Sequence, residues 1–232
     1  ALMGRANVHL FLHFTGREIR ARFADSGLGL LWALIGPLLL LAIYAFVFGQ
    51  LFKQRSDALG TDSYALFVAV ALWPWMMFAD GVTRGMQSIQ SNASLVKKVA
   101  FPHLLLVGAA VTSAFALHLL GYVGVLVALA FAGAPIKISG IPVAVVCLLI
   151  LYVLTLGVAS LLAALQTMVR DVEQAVNPAI MMLHYLTPVL YPITLIPEAY
   201  RHWLDWNPLA GLISAMRAAL LGGTSPSLVD GG

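Results

Sequence analysis

The stretch ISGIPVAVVCLLILYVLTLGVASLLAALQTMV, residues 138–169, decides the fold class of this chain. It contains no Asp, Glu, Lys or Arg. A run of about 20 apolar residues is enough for an α-helix to cross the hydrocarbon core of a bilayer, so this stretch predicts a membrane-spanning helix. It lacks the alternation of apolar and polar residues that strands of a membrane β-barrel show. The sequence therefore predicts an all-α integral membrane protein.

The composition of the whole chain supports the same class. Of its 232 residues, 61% are hydrophobic and 10% are charged, and the mean hydropathy is +0.92. Soluble domains have about 25% charged residues. These values exclude a soluble globule and a disordered tail. A nucleic-acid-binding domain is also excluded, because the net charge is only +3 and the sequence has no basic stripe. Cys147, the one cysteine, lies in an apolar run, which excludes a disulfide framework and a thiolate metal cluster.

Uncharged runs divide the chain into membrane-spanning segments. Five spans are predicted, at residues 28–52, 63–80, 103–132, 140–168 and 175–196. Clusters of basic residues precede the first span and the third span, where Lys97 and Lys98 lie. Because cytoplasmic loops are enriched in Lys and Arg, we expect the N-terminus to be cytoplasmic.

Residues 1–26 predict a helix that lies in the membrane interface. One helical face carries apolar residues, namely Val8, Phe11, Leu12, Ile19 and Phe23. The opposite face carries His9, His13, Arg17 and Arg20. The segment has no signal-peptide pattern. Residues 27–232 are predicted to form the transmembrane domain, and their polar end, 222–232, is typical of a loop, so we expect the sequence to be a fragment.

Enzyme signatures are not found in the sequence. It contains no G-x-x-x-x-G-K-[ST] loop, no G-x-S-x-G elbow and no H-E-x-x-H pair. The six histidines are scattered among several segments, and no metal site is predicted. His118 and His184 lie within spans, where a hydrogen bond to a neighbouring helix is favoured over a functional role. The acidic residues near membrane edges show no obvious pairing, namely Asp80, Asp171, Glu173, Glu198 and Asp205.

Two inner segments are candidates for docking a cytoplasmic partner. Residues 84–102 form a polar stretch with helical character that ends in Phe101-Pro102, although a positively charged membrane anchor would have the same composition. The second segment, Arg170-Asp171-Val172-Glu173, is short and charged, and is also typical of a simple turn.

The fifth span is broken by Pro188, Pro192 and Pro197, which free backbone carbonyls for other partners. Residues 198–221 are amphipathic but too interrupted to span, so we expect short re-entrant helices in the outer leaflet. Several aromatic residues could line a channel, because their faces offer apolar contact beside a polar tip. These residues are Trp73, Trp75, Phe78, Tyr185 and Tyr191.

A series of motifs recurs in a fixed order along the chain. The first runs from Arg17-Glu18-Ile19-Arg20 through Arg22-Phe23, Ser26, Leu28-Gly29 and Trp32 to Pro37. The others are Trp73-Pro74-Trp75, Asn92-x-x-Leu95-Val96-Lys97-Lys98-x-x-Phe101-Pro102, Arg170-Asp171, Tyr191-Pro192 and Asn207-Pro208-Leu209. Over residues 14–222 this pattern resembles the ABC-2 type permeases that export O-antigen, capsule and teichoic acid. Phe23 stands where that family often has Tyr.

The resemblance implies a homodimer in the bacterial inner membrane, with six spans in each subunit, so this sequence would stop before the sixth. Each subunit would bind a separate cytoplasmic ATPase subunit that holds ATP and Mg, and the permease itself would have no catalytic site and no cofactor. The N-terminal helix would gate substrate access. The implied substrate is a glycan on an undecaprenyl-type lipid diphosphate.

The residue chemistry, taken together with the resemblance, gives candidate site residues. Guanidinium groups bind phosphate bidentately, so Arg17, Arg20 and Arg22 are expected to contact the substrate, although arginines beside a first span also act as orientation anchors. The channel would be lined by Trp73, Trp75, Phe78, Tyr185 and Tyr191. Coupling to the ATPase is expected from Asn92, Leu95, Lys97, Lys98, Arg170 and Asp171.

Other functions remain open at this point. An ABC-2 exporter of drugs or small lipids would share the same architecture. A membrane enzyme acting on lipid-linked sugars would need paired acids that the sequence does not reveal. A secondary transporter with inverted repeats is disfavoured, because the chain shows no internal repeat and few intramembrane charges.

Overall fold

The structure is a computed structural model, and it describes residues 5–22, 27, 29–51 and 63–222. The described part of the chain is helical and has no β-strand, as the sequence predicts. Its α-helices are α1 (Arg5–Ala21), α2 (Trp32–Tyr44), α3 (Tyr64–Ser91), α4 (Ala93–Lys98), α5 (Leu104–Phe131), α6 (Ile141–Met168), α7 (Val172–Leu186), α8 (Glu198–Asp205) and α9 (Pro208–Leu221). Short 3₁₀ turns lie at Gly29–Leu31, Ile138–Gly140 and Ile193–Leu195, and a π-helical turn, Ala45–Leu51, continues α2.

Three helices of the described chain are long and apolar enough to cross a membrane, namely Tyr64–Ser91, Leu104–Phe131 and Ile138–Met168. They coincide with the predicted second, third and fourth spans, but α3 continues past the predicted end at residue 80. The sequence estimate followed the uncharged run alone, and the polar residues beyond it, such as Arg84 and Gln87, continue the same helix. The predicted first and fifth spans correspond to the shorter helices α2 and α7, so the total of five spans stays a prediction.

Helix α1 packs through a different face from the one predicted. Phe14 is buried against Leu106 and Ala109 of α5, with Phe11 beside it. Val8 and Leu12, which share the predicted apolar stripe with Phe11, are exposed. The helix therefore has a face against the protein and a separate exposed apolar face, and Phe23 of the predicted stripe lies outside the described residues. Its location in the membrane interface stays a prediction.

The chain forms two compact units. The first comprises the described residues of Ala1–Trp32, Met76–Leu119 and Tyr152–Met181. Within it, small residues bring helices close together: a Cβ on Gly85 of α3 would lie 2.7 Å from the Cβ of Ala159 in α6 and 3.0 Å from Cγ2 of Val111 in α5. Close approach at small residues is a common basis of helix packing in membranes, where no hydrophobic effect drives helices together.

The second unit comprises the described residues of Ala33–Trp75, Leu120–Leu151 and Met182–Gly232. Helix α3 contains Pro74, which has no N–H to donate to the carbonyl of Val70. The hydroxyl of Tyr122 in α5 donates to that carbonyl over 3.4 Å. In this unit a side chain of a neighbouring helix thus replaces the backbone donor that proline removes.

Arg217 of α9 also donates to backbone carbonyls, in the segment that follows the end of α7. A helix continuing through this segment would bond the carbonyl of Pro188 to the N–H of residue 192, but Pro192 has none. The buried guanidinium of Arg217 donates to the carbonyls of Pro188, Val189 and Phe67. It also lies 3.6 Å above the centre of the Phe67 ring. The buried guanidinium thus joins α9 to the first turn of α3 and to the segment after α7.

Helix α9 itself begins and ends with local signals that the sequence carries. The side chain of Asn207 accepts from the N–H of Leu209 over 3.1 Å, and Pro208 occupies the first turn. Asn207 also donates to the Thr187 hydroxyl over 2.9 Å, which ties α9 to the end of α7. Gly222 closes the helix with φ of 78°. The predicted short helices over 198–221 are therefore α8 and α9.

Replacing Gly85 with Ala is expected to destabilise the protein by about 1–3 kcal/mol, because the new methyl group would overlap Ala159 and Val111. Thermal unfolding of the purified chain in detergent measures the effect. The matched control is Gly157→Ala in α6, where a Cβ would meet nothing within 4 Å. Equal melting temperatures for the two variants would contradict the close packing described here.

Replacing Arg217 with Met is expected to cost about 2 kcal/mol or more, because each buried carbonyl left without a donor costs about 1–3 kcal/mol. For a chain of this size the melting temperature should fall by roughly 5 °C or more. The control is Arg201→Met, whose side chain is only half-buried and donates to carbonyls of the 194–196 turn. A melting temperature for Arg217→Met no lower than that of the control would refute this role.

Candidate functional site

The candidate coupling residues lie in the first unit, where α3 ends. Asn92 forms the turn between α3 and α4, and its side-chain amide donates to the carbonyl of Ser88 over 2.8 Å. Leu95 of α4 packs against the cluster around Phe14, whereas Lys97 and Lys98 point outward and are exposed. Helix α4 therefore presents two ammonium groups on one side while its apolar side holds it to α1 and α5.

The turn between α6 and α7 belongs to the same unit. Arg170 and Asp171 form this turn and are both exposed. Directly after it, the carboxylate of Glu173 accepts hydrogen bonds from the side-chain amides of Gln87 in α3 over 2.8 Å and of Gln166 in α6 over 3.1 Å. Glu173, which has no evident partner in the sequence, thus fastens the turn to α3.

The three arginines of the opening motif have different surroundings. Arg17 donates to the side-chain oxygen of Asn92, lies 3.4 Å from the Glu18 carboxylate and stacks 5.2 Å from the centre of the Phe14 ring. Arg22 is engaged with Asp80. Arg20 is exposed. The structure therefore leaves the guanidinium of Arg20 open to a ligand and uses Arg17 to join α1 to the turn before α4.

Asp80 is the centre of a charged cluster, which we call the Asp80 cluster and which consists of Arg22, Asp80, Arg84 and His118. One carboxylate oxygen, Oδ2, accepts from Nη1 of Arg22 over 2.6 Å and lies 3.2 Å from Nε2 of His118. The other, Oδ1, accepts from Nε of Arg84 over 2.7 Å. The cluster joins the end of α1 to α3 and α5. His118 thereby makes the contact to a neighbouring helix that the sequence favoured for it.

The five predicted channel aromatics are not gathered at one described surface. Trp73 is fully buried, and Trp75 and Phe78 are nearly so. Tyr185 is exposed, and its carbonyl accepts from the hydroxyl of Tyr191 over 2.7 Å. Trp75 lies against the ring of His184, with ring centres 5.1 Å apart. Among these five, Tyr185 is the most exposed, and lining of a channel by any of them stays a prediction.

Comparison with known proteins identifies the family. The profile of the ABC-2 type transporter family matches residues 9–221. The chain belongs to the ABC-2 type transporter family. It is 32% identical over 219 residues to the O-antigen export system permease protein RfbA of Klebsiella pneumoniae, a match that covers 93% of this chain and 81% of that protein.

Two further relatives have related names. The O-antigen export system permease protein RfbA of Myxococcus xanthus is 29% identical over 213 residues, covering 90% of this chain and 79% of the relative. The polysialic acid transport protein KpsM of Escherichia coli is 23% identical over 207 residues, covering 89% of this chain and 79% of that protein. The family to which the motifs pointed is thus confirmed.

For an ABC-2 family member, the first unit gathers the elements that a partner protein could reach. The exposed charges of α4 and of the α6–α7 turn lie on segments that hydrogen bonds and apolar contacts hold to α3. Exposed charges on segments that are held in place favour specific and oriented docking of a partner protein. Docking of a partner protein on these charges stays a prediction.

Sequence reasoning missed the pairing of Asp80 and the role of Glu173. One signal for the first was available, because Arg84 follows Asp80 by four residues, the spacing at which opposite charges meet on one helix. The links to Arg22 and His118 join different helices, so no local spacing predicts them. The same holds for Gln87 and Gln166, which read as ordinary polar residues until the fold brings them to Glu173.

Proposed function

We propose that this chain is the membrane permease of an ABC transporter that exports a lipid-linked polysaccharide across the bacterial inner membrane, driven by a separate ATPase subunit. The observation that carries this proposal is the similarity to O-antigen export permeases over 93% of the chain, within a family match over residues 9–221. A more distant relative named for polysialic acid transport supports a polysaccharide as the class of substrate. The permease would work as a homodimer with its N-terminus in the cytoplasm.

The ATPase subunit would dock on the exposed charges of the first unit. Lys97 and Lys98 of α4 would provide the main contact, and Arg170 and Asp171 would provide a second one. Asn92 and Leu95 would hold α4 in place, because Asn92 contacts Arg17 and Leu95 packs near Phe14. A movement of the ATPase would then be transmitted to the first unit through α4 and through the α6–α7 turn.

The lipid diphosphate of the substrate would be contacted by the arginines of α1. Arg20 is the best placed of them, because its side chain is exposed while Arg17 and Arg22 are engaged with Asn92 and Asp80. A guanidinium fork matches phosphate oxygens in charge and geometry. The sugar chain would pass aromatic side chains such as Tyr185, whose ring face is accessible.

The substrate class can be tested with the permease and its ATPase subunit in proteoliposomes. Addition of undecaprenyl diphosphate carrying the glycan is expected to stimulate ATP hydrolysis several-fold, because the substrate must favour the transport-competent state to drive turnover. The matched comparison is the same lipid diphosphate without the glycan, together with small amphipathic drugs. Stimulation by the drugs and not by the glycolipid would replace this proposal with that of a drug or small-lipid exporter.

The docking surface can be tested by reversing its charge. The double variant Lys97→Glu, Lys98→Glu is expected to weaken binding of the ATPase subunit by about tenfold or more, because two attractive charges become repulsive. Co-purification and the dissociation constant by microscale thermophoresis measure the loss. Lys137→Glu, an exposed lysine of the second unit, is the control and should bind normally. Unchanged binding by the double variant would exclude α4 as the docking helix.

A further inference from the structure

We propose that Asp80 is a positioning residue for transport: through Arg22 it fixes the end of the N-terminal helix α1 to α3 and α5. This inference rests on the proposed export function, but its geometric part can be tested without a substrate. It assigns to an acidic side chain of a membrane-spanning helix a role that neither the motifs nor the relatives indicate.

The first argument is the cost of a carboxylate in this position. Asp80 lies in the helix Tyr64–Ser91, which is long and apolar enough to span, and its side chain is only 21% exposed. A carboxylate so far removed from water must be paired and hydrogen-bonded, and losing one partner leaves charge uncompensated. Both oxygens of Asp80 are indeed occupied by guanidinium groups.

The second argument is that the two arginines of the Asp80 cluster differ in what they connect. Arg84 lies one turn further along the same helix as Asp80, so its ion pair joins α3 to itself. Arg22 follows directly after α1, and its backbone N–H still bonds to the carbonyl of Glu18 in the last turn. The Arg22 ion pair therefore transmits the position of Asp80 to the backbone of α1.

The third argument is that Asp80 is itself held in place from another helix. His118 of α5 is only 6% exposed, and its Nε2 lies 3.2 Å from the same oxygen that binds Arg22. Arg84 holds the second oxygen at 2.7 Å. Because His118 comes from another helix and shares Oδ2 with Arg22, it keeps that oxygen facing Arg22 independently of the Arg84 ion pair on Oδ1.

A second attachment of α1 lies further back along the helix. Arg17 bonds to Asn92, and about one turn before it Phe14 is buried against α5. These two contacts hold the middle of α1, whereas the Asp80 cluster holds Arg22, the residue that follows its last turn. Loss of the Arg22 ion pair should thus loosen the end of α1 while its middle stays docked.

The test compares Arg22→Gln with Arg84→Gln, which remove the same charge from the same carboxylate. Spin labels are placed at two exposed positions of the first unit, the last residue of α1 and the residue before α5, by Ala21→Cys and His103→Cys in a Cys147→Ser background. Labelled chains are diluted with unlabelled ones, and the distance between labels is measured by electron paramagnetic resonance in the assembled complex. We expect a broadened distance distribution for Arg22→Gln, the parental distribution for Arg84→Gln, and a narrow one again for Arg22→Lys.

Transport is measured on the same variants with the lipid-linked glycan. Arg22→Gln should lower glycan-stimulated ATP hydrolysis and export by about tenfold, the scale of a lost charged hydrogen bond, and Arg84→Gln by less than about twofold. In the double variant Arg22→Gln, Asp80→Asn the loss should be no greater than in Arg22→Gln alone, because both changes remove one interaction. A thermal melt of each complex shows whether it is folded.

Several outcomes would overturn the proposal. Equal losses for Arg22→Gln and Arg84→Gln would indicate a shared charge effect and not positioning. Lost export with an unchanged distance distribution would mean that Arg22 contacts the substrate directly. Losses that multiply in the double variant would show that Arg22 and Asp80 act separately. If the glycan stimulates not even the parental complex, the proposed function fails, while the distance measurement still decides whether Asp80 positions α1.

Discussion

The hydrocarbon core of a membrane offers no hydrogen-bond partners, and this constraint explains most of the polar architecture of the chain. Proline removes backbone donors from α3 and from the segment after α7, and Tyr122 and Arg217 supply replacements. A carboxylate in α3 would be costly alone, and Arg22, Arg84 and His118 surround it. Because several of these groups take their partner from another element, the polar residues that supply it also connect the elements.

In the first unit these connections converge on α3. The turn before α4 is bonded to the last turns of α3 through Asn92, the α6–α7 turn through Gln87, and the end of α1 through Asp80. In an ABC-2 family member, a protein bound to α4 or to the α6–α7 turn would therefore act on one helix by two routes. The N-terminal helix would follow the same helix, so docking, coupling and substrate access would share one mechanical support.

Much of the fold could be predicted, but the pairing of its polar residues could not. The predicted spans at 103–132 and 140–168 agree closely with α5 and with the helical segment that contains α6. A long uncharged run of residues is long enough and apolar enough to cross a membrane as a helix, so hydropathy alone locates it. The extension of α3 to Ser91 was missed, since the estimate relied on hydropathy and a helix does not end where charges begin. The packing face of α1 was also missed: amphipathic periodicity shows where apolar residues cluster, but Phe14 is buried because of the helices that lie next to it.

By itself, the sequence determined the membrane class, the helical content and the family, because these depend on composition, run length and motif order along the chain. The tertiary structure decided which arginine is exposed and which are engaged, that Arg217 is buried among carbonyls, and that Asp80 joins three helices. The physical reason is the same in each case. The role of a charged side chain depends on the groups that it contacts. Residues such as Arg22 and Asp80 become neighbours only when the helices pack.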